Sequence, residues 1–165
     1  MELTEIDKII SRIPDYKKFL TVDELNERSR DLAKHYPQIT RKIIGKSRDD
    51  DPIEALYIGE GKKTGLLFAM PHPNEPIGSM TLNFLSEELA KNEELRSSLD
   101  FRLIIVKCSD PDGTRLNEDW FSGPFTPLNY ARNFYRPPSH QQVEWTFPID
   151  YRNLHFDDPI PETRA

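Results

Sequence analysis

The chain has one cysteine, Cys108, in 165 residues. A single thiol excludes an intramolecular disulfide and fits a reducing cytoplasm. Cys108 closes an apolar strand, so it reads as a small buried hydrophobe rather than a nucleophile. Long hydrophobic runs are missing as well: nothing approaches the roughly 18 apolar residues of a membrane span. The opening Met1-Glu2-Leu3-Thr4-Glu5-Ile6-Asp7-Lys8 carries charge where a signal peptide needs an apolar core, so export by that route is not expected. Positive charge is in the minority, 22 Lys and Arg against 28 Asp and Glu, and forms no stripe. Phosphate contacts need clustered Lys and Arg, so a nucleic-acid partner is not expected.

What is present suits one domain spanning 1–165, long enough to bury a core. Residues 1–19 read as a helical lead-in, weakly amphipathic from Ile6 to Ile13. Thr21 with Glu24 forms a capping box, and Val22, Leu25, Leu32, Ala33 and Tyr36 supply the apolar face of a firm helix that Pro37 ends. Ile39 to Ile44 and Ile53 to Ile58 read as strands. The charged turn between them, Arg48-Asp49-Asp50-Asp51-Pro52, is expected to be a solvated hairpin tip. Gly65 to Met70 is a third, buried strand. Pro76 suits the first position of a helix. Ile77, Met80, Thr81, Phe84, Leu85 and Leu89 then recur at helical spacing, predicting a core-facing stripe. Phe101 to Val106 is continuously apolar after Arg102 and suits a central strand covered on both faces. Strand, helix and strand at this spacing predict a parallel pair. The expected class is α/β, with a mixed, mostly parallel sheet flanked by helices.

Beyond position 114 the composition changes. Seven of the 14 prolines lie from Pro124 to Pro161 and ten of the 17 aromatics from Trp120 to Phe156, which predicts a loop region ordered by aromatic surface rather than a disordered tail. Asp157-Asp158-Pro159-Ile160-Pro161-Glu162-Thr163 has the marks of a helix start. One helical turn is not stable by itself, so the chain reads as the front part of a longer protein, truncated after the first half.

The residues that point to chemistry are His72 and Glu75, in Met70-Pro71-His72-Pro73-Asn74-Glu75-Pro76. A neutral imidazole and a carboxylate three residues apart can turn toward one point. Zinc is held by such ligands, with an open position left for water. The flanking prolines stiffen the loop. Spacing alone is common by chance; placement is more informative, because open α/β sheets bind ligands at the carboxyl ends of their strands. Neither His-Glu-x-x-His nor His-x-x-Glu-His occurs, which disfavours the metallopeptidases built on those motifs. Asp110-Pro111-Asp112-Gly113 reads as a tight turn, with the glycine free to take positive φ, bordering the same crevice. In Arg132-Asn133-Phe134-Tyr135-Arg136-Pro137 an arginine fork can grip a carboxylate bidentately; a structural ion pair is the alternative. His35 reads as a solvated helix end and His140 as a loop residue. His155 reads as a core histidine and is the outside candidate for a third metal ligand.

This ordered set resembles the zinc carboxypeptidases of the carboxypeptidase A type, from about Leu20 to Phe134. The resemblance implies Zn2+ as cofactor, with His72 and Glu75 on the first two metal ligands. It sets Asp110-Pro111-Asp112-Gly113 on the family's Asn-Pro-Asp-Gly turn. Arg132, with Asn133 beside it, falls on the position that binds the substrate's terminal carboxylate. The third ligand, a histidine, and the general-base glutamate are expected beyond Ala165, so the 165 residues alone are expected to be inactive. Departures are visible: Asn74 stands where many carboxypeptidases carry arginine, Ala131 replaces an asparagine, and Asp110 replaces the turn's usual asparagine. Arg115 is the candidate for the arginine that stabilises the oxyanion. The implied activity is zinc-dependent hydrolysis of a C-terminal peptide bond, on a peptide or small acylated substrate with a free carboxylate. Asn74 is also typical of the related aspartoacylase and succinylglutamate desuccinylase group, so an N-acyl-amino-acid deacylase is one alternative. An inactive fragment or binding domain is the other.

Overall fold

Apolar strands bury their backbone polar groups only by pairing, and the pairing here sets the architecture. The computed structural model describes residues 3–138, 150–151, 154–155 and 161–165. In chain order the elements are α1 (Leu3–Ile10), α2 (Val22–His35), β1 (Ile39–Lys46), β2 (Pro52–Ile58), β3 (Lys63–Phe68), α3 (Ile77–Lys91), α4 (Glu93–Ser98), β4 (Phe101–Val106), α5 (Pro111–Arg115), α6 (Glu118–Phe121), α7 (Pro127–Asn133), β5 (Asp150–Tyr151), β6 (Leu154–His155) and α8 (Pro161–Arg164). Strands β1 to β4 form one sheet in the order β1-β2-β4-β3, and β5 pairs with β6 separately. β1 and β2 are an antiparallel hairpin with Ile39 opposite Ile58; β2 and β4 are antiparallel with Leu56 opposite Ile105. β3 and β4 run parallel, Leu66 opposite Ile104. The mixed α/β class is as expected, but the sheet is not mostly parallel: two of its three pairings are antiparallel, because β1 and β2 join as a hairpin and β2 pairs antiparallel with β4, and the parallel pairing is that of the β3-α3-β4 unit. β4 takes the central place its apolar run predicts.

Helices α2 and α3 cover one face, where Leu32, Leu56, Ile58, Leu89 and Ile105 are buried. On the opposite face Ile53, Ala55 and Val106 form a smaller buried group. A third cluster, with Leu25, Met70, Met80, Trp120 and Phe121, gathers beside the carboxyl ends of β3 and β4. The Phe19 ring meets Trp120 and Phe121 edge-on at 5.6 and 5.9 Å, which ties the lead-in to this cluster. The capping box opens α2 as predicted: Glu24 N donates to Thr21 Oγ1 and Thr21 N donates to the Glu24 carboxylate. Such a cap is worth about 1 kcal/mol. Cys108 is buried, its Sγ 3.4 Å from Thr114 Oγ1, and burial pushes its thiol up to about 12. His35 is exposed, as expected at a helix end. Among the described residues, no helix is long and apolar enough to cross a membrane.

Helix α3 turns a different face inward from the expected stripe. Ile77 is 67% exposed and Thr81 is exposed, whereas Ser79, Asn83 and Ser86 are buried; Met80 and Leu89 remain core residues. The cause is hydrogen bonding. Ser79 Oγ donates to the Lys107 carbonyl at 2.6 Å, and Lys107 Nζ donates to Asn83 Oδ1 at 2.9 Å. Small polar side chains let the helix approach β4 closely, and each finds a buried partner. Lys107 itself is only 4% exposed, and burial lowers its amine to about 8.

The hairpin tip is solvated at Arg48, Asp49 and Asp50, as expected, but it is also docked. Ser47 is buried and its Oγ donates to Asp112 Oδ1 at 2.5 Å, Asp49 N donates to Asp112 Oδ2 at 3.1 Å, and Arg115 pairs with Asp51. The acidic run meets complementary donors on α5, which composition alone does not reveal. Asp110-Pro111-Asp112-Gly113 is likewise a helix start rather than a tight turn. Asp110 caps α5, its Oδ1 accepting from Gly113 N at 2.9 Å, and Pro111 occupies the first turn. The single turn of α8 forms where the acid-proline pattern predicts. It is held by Glu162, whose Oε1 accepts from Arg48 Nε at 3.1 Å and Arg48 N at 3.2 Å.

Candidate metal centre

The loop bearing His72 and Glu75 is built by a sharp reversal at the end of β3. Ala69 still belongs to the sheet: its N–H donates to the Val106 carbonyl at 3.0 Å, and its own carbonyl accepts from Ser109 N at 3.0 Å. Met70 then takes φ 56°, a left-handed conformation that non-glycine residues adopt at an energetic penalty. The buried Met70 side chain holds it there, with Thr114 Oγ1 donating to its Sδ at 3.2 Å. Glu75 N donates to the His72 carbonyl at 3.1 Å, closing a turn that brings both side chains to one side. His72 Nδ1 and Glu75 Oε2 lie 3.1 Å apart. Glu75 is 53% exposed at its side chain, so the pair opens to solvent.

Two elements clamp this loop. From below, Gly113 of α5 packs against Pro73: a Cβ at Gly113 would lie 2.7 Å from Pro73 Cγ. From above, Asn74 Nδ2 donates to Tyr130 Oη at 3.1 Å, and the Tyr130 ring packs on Trp120 with centroids 5.0 Å apart. The segment after α7 completes the site, since Arg136 Nη1 donates to Glu75 Oε1 at 3.4 Å. Its position is set by Asn117, which is fully buried. Asn117 Nδ2 donates to the Tyr135 and Gly113 carbonyls, both at 2.8 Å, and its Oδ1 accepts from Tyr135 N at 3.0 Å. Neither Asn117 nor Tyr130 is singled out by the sequence. Arg136 is written in the arginine run but is passed over there for Arg132. Their roles depend on which segment lands on the loop.

Residues 25–143 match the zinc carboxypeptidase family. The chain belongs to that family. Solved structures agree on the fold. Bovine thrombin-activatable fibrinolysis inhibitor, in complex with tick carboxypeptidase inhibitor, superposes with a TM-score of 0.58 at 15% identity, covering 66% of this chain and 37% of that one. The carboxypeptidase A of Helicoverpa armigera gives 0.55 at 19% identity, covering 68% and 32%. A metallo-carboxypeptidase from Burkholderia cenocepacia gives 0.52 at 18% identity, covering 69% and 37%. The chain therefore spans about a third of the length of each of these structures. Among functionally curated proteins, none matches it.

The zinc of this family fits the pair in chemistry and in spacing. Two donors bound tetrahedrally at 2.0–2.1 Å from zinc stand about 3.4 Å apart, close to the 3.1 Å separation here. Among the described residues, no group of three or more His, Cys, Asp or Glu could hold a metal, and His72 and Glu75 are the two donors they bring together at this loop. His140 lies outside the described residues, and His155 falls in β6 with its side chain outside them. Arg115 is engaged elsewhere: Asp23 and Asp51 hold its guanidinium, and their hydrogen bonds raise its pKa further. Arg132 is exposed in the last turn of α7 and makes no hydrogen bond or ion pair among the described residues. Asn133 Nδ2 donates back to the Asn129 carbonyl at 3.1 Å.

Asp110, where zinc carboxypeptidases usually carry asparagine, is buried with its Oδ2 unpartnered. Burial raises its carboxyl to about 6, against the pull of Gly113 N–H and the Arg48 guanidinium; Glu162 and Asp112 add to the rise. A carboxyl raised in the folded state binds its proton more tightly there than when unfolded. Stability therefore falls as pH rises from about 4 to about 6, and the penalty is complete above that window. Asp110→Asn keeps the cap to Gly113 and removes the buried charge, while its amide nitrogen inherits the lack of a partner. Denaturant unfolding at pH 7 should show a gain of about 1–2 kcal/mol, shrinking toward zero at pH 4. An equal gain at both pH values would contradict a charge effect.

Proposed function

We propose that the full-length protein is a zinc-dependent carboxypeptidase that removes a C-terminal residue from a peptide. The observation that carries this reading is the convergence of His72 Nδ1 and Glu75 Oε2 at the carboxyl end of β3, in a chain of the zinc carboxypeptidase family. Bound zinc supplies a Lewis-acidic charge that polarises the scissile carbonyl. The protein's own residues then orient the reaction. Arg132, exposed on α7, is free to take the substrate's terminal carboxylate in a bidentate grip, with Asn133 beside it. Arg136, in contact with Glu75, is better placed than Arg115 to oppose negative charge developing near the metal pair. The loop prolines and the Tyr130 hydroxyl keep both ligands pre-oriented, so little ordering entropy is lost when they converge. A third ligand and a general-base glutamate are expected from sequence beyond Ala165, and the 165 residues alone should not hydrolyse peptides. The lone buried thiol supports a cytoplasmic location.

The N-acyl-amino-acid deacylase reading rests on Asn74. Its amide nitrogen is engaged with Tyr130, and the family match is to carboxypeptidases. The two separate on substrates. The full-length protein should release the last residue of a peptide, lose the activity to a chelator and regain it with zinc. Faster hydrolysis of an N-acyl amino acid than of any peptide would install the deacylase instead.

A further inference from the structure

Glu75 divides its two oxygens between two donors. Oε2 faces His72 Nδ1 at 3.1 Å, and Oε1 accepts from Arg136 Nη1 at 3.4 Å. A divalent cation held by His72 and Glu75 brings a second source of positive charge to a carboxylate that already carries a guanidinium. Like charges a few ångströms apart repel by more than an exposed ion pair gains. The backbone of this segment cannot retreat easily, because Asn117 bonds both the N–H and the carbonyl of Tyr135. The Arg136 side chain is about a third exposed, so exchange of its Glu75 contact needs a change of rotamer rather than of backbone.

We propose that Arg136 is an internal competitor for the metal: guanidinium and cation take the Glu75 carboxylate in turn. The inference rests on the zinc reading above. With no cation held, Arg136 neutralises Glu75 and keeps the ligand pair closed. When the cation arrives, the guanidinium is released from Glu75 and turns its donors to an anionic group of the substrate. Coupling of this kind is reciprocal: whatever metal binding loses by displacing Arg136, anion binding at Arg136 gains from the metal. Metal would load before substrate, and an anionic group that Arg136 takes would bind poorly to the metal-depleted protein, whereas the carboxylate grip of Arg132 would not depend on the metal.

The test is zinc affinity of the full-length protein, measured by competition with a chromophoric chelator. Arg136→Gln should bind zinc about tenfold more tightly than the wild type. Arg136→Lys, which keeps the charge, should stay close to wild type, and Arg136→Ala repeats the comparison with a second neutral side chain. Neutral variants that bind zinc no more tightly than wild type overturn the proposal and leave the zinc reading standing. A wild type that binds no zinc overturns both.

Discussion

Replacing His72 with alanine is expected to abolish zinc-dependent hydrolysis by the full-length protein, lowering the rate by about a thousandfold or more. The imidazole supplies one of the two donors at the end of β3, and among the described residues no other group of ligands stands ready to replace it. Glu75 alone, more than half exposed, would hold a cation weakly. Pro73 stays wedged against α5 and Asn74 stays bonded to Tyr130, so the clamps on the loop survive the substitution. The measurements are the rate of C-terminal residue release and the zinc bound per chain. A variant that keeps both places the metal on other residues.

Gly113→Ala should damage stability and metal affinity together. The added Cβ would stand 2.7 and 2.9 Å from Pro73 Cγ and Cβ and 2.6 Å from Asp110 Oδ2. Pro73 is a buried, rigid ring, so the clash cannot be relieved by rotating a side chain. Either α5 shifts or the ligand loop does. Overpacking of this sort costs about 2–3 kcal/mol. Because Pro73 lies between His72 and Asn74, a shifted loop also moves the first donor, and zinc affinity should fall about tenfold. Denaturant unfolding and chelator competition read the two effects separately. Stability lost with zinc affinity intact would show that α5 gives way and the loop holds.

The sequence reading works best where the interaction is local. The capping box at Thr21 and Glu24, the strand-helix-strand unit and the central place of β4 follow from spacing and composition, because each depends on neighbours within a few turns of chain. It fails where polar residues are buried by partners distant in sequence. Ser79 and Asn83 look like surface positions until Lys107 is brought against them, so the inward face of α3 is misread. The acidic hairpin tip looks wholly solvated until Asp112 and Arg115 meet it. In the candidate site, His72 and Glu75 announce themselves by their place after a strand. Arg136 and Tyr130 do not, since they reach the loop only after the chain has passed through α5, α6 and α7.

The sole thiol has a use that follows from its surroundings. Sealed beside Thr114, with its pKa pushed up to about 12 by burial, Cys108 stays a thiol rather than a thiolate at neutral pH. Alkylating reagents and mild oxidants find nothing to attack while the sheet and α5 stay together. Labelling of this sulfur thus counts molecules that have come apart, and the chain carries its own built-in gauge of how often it opens.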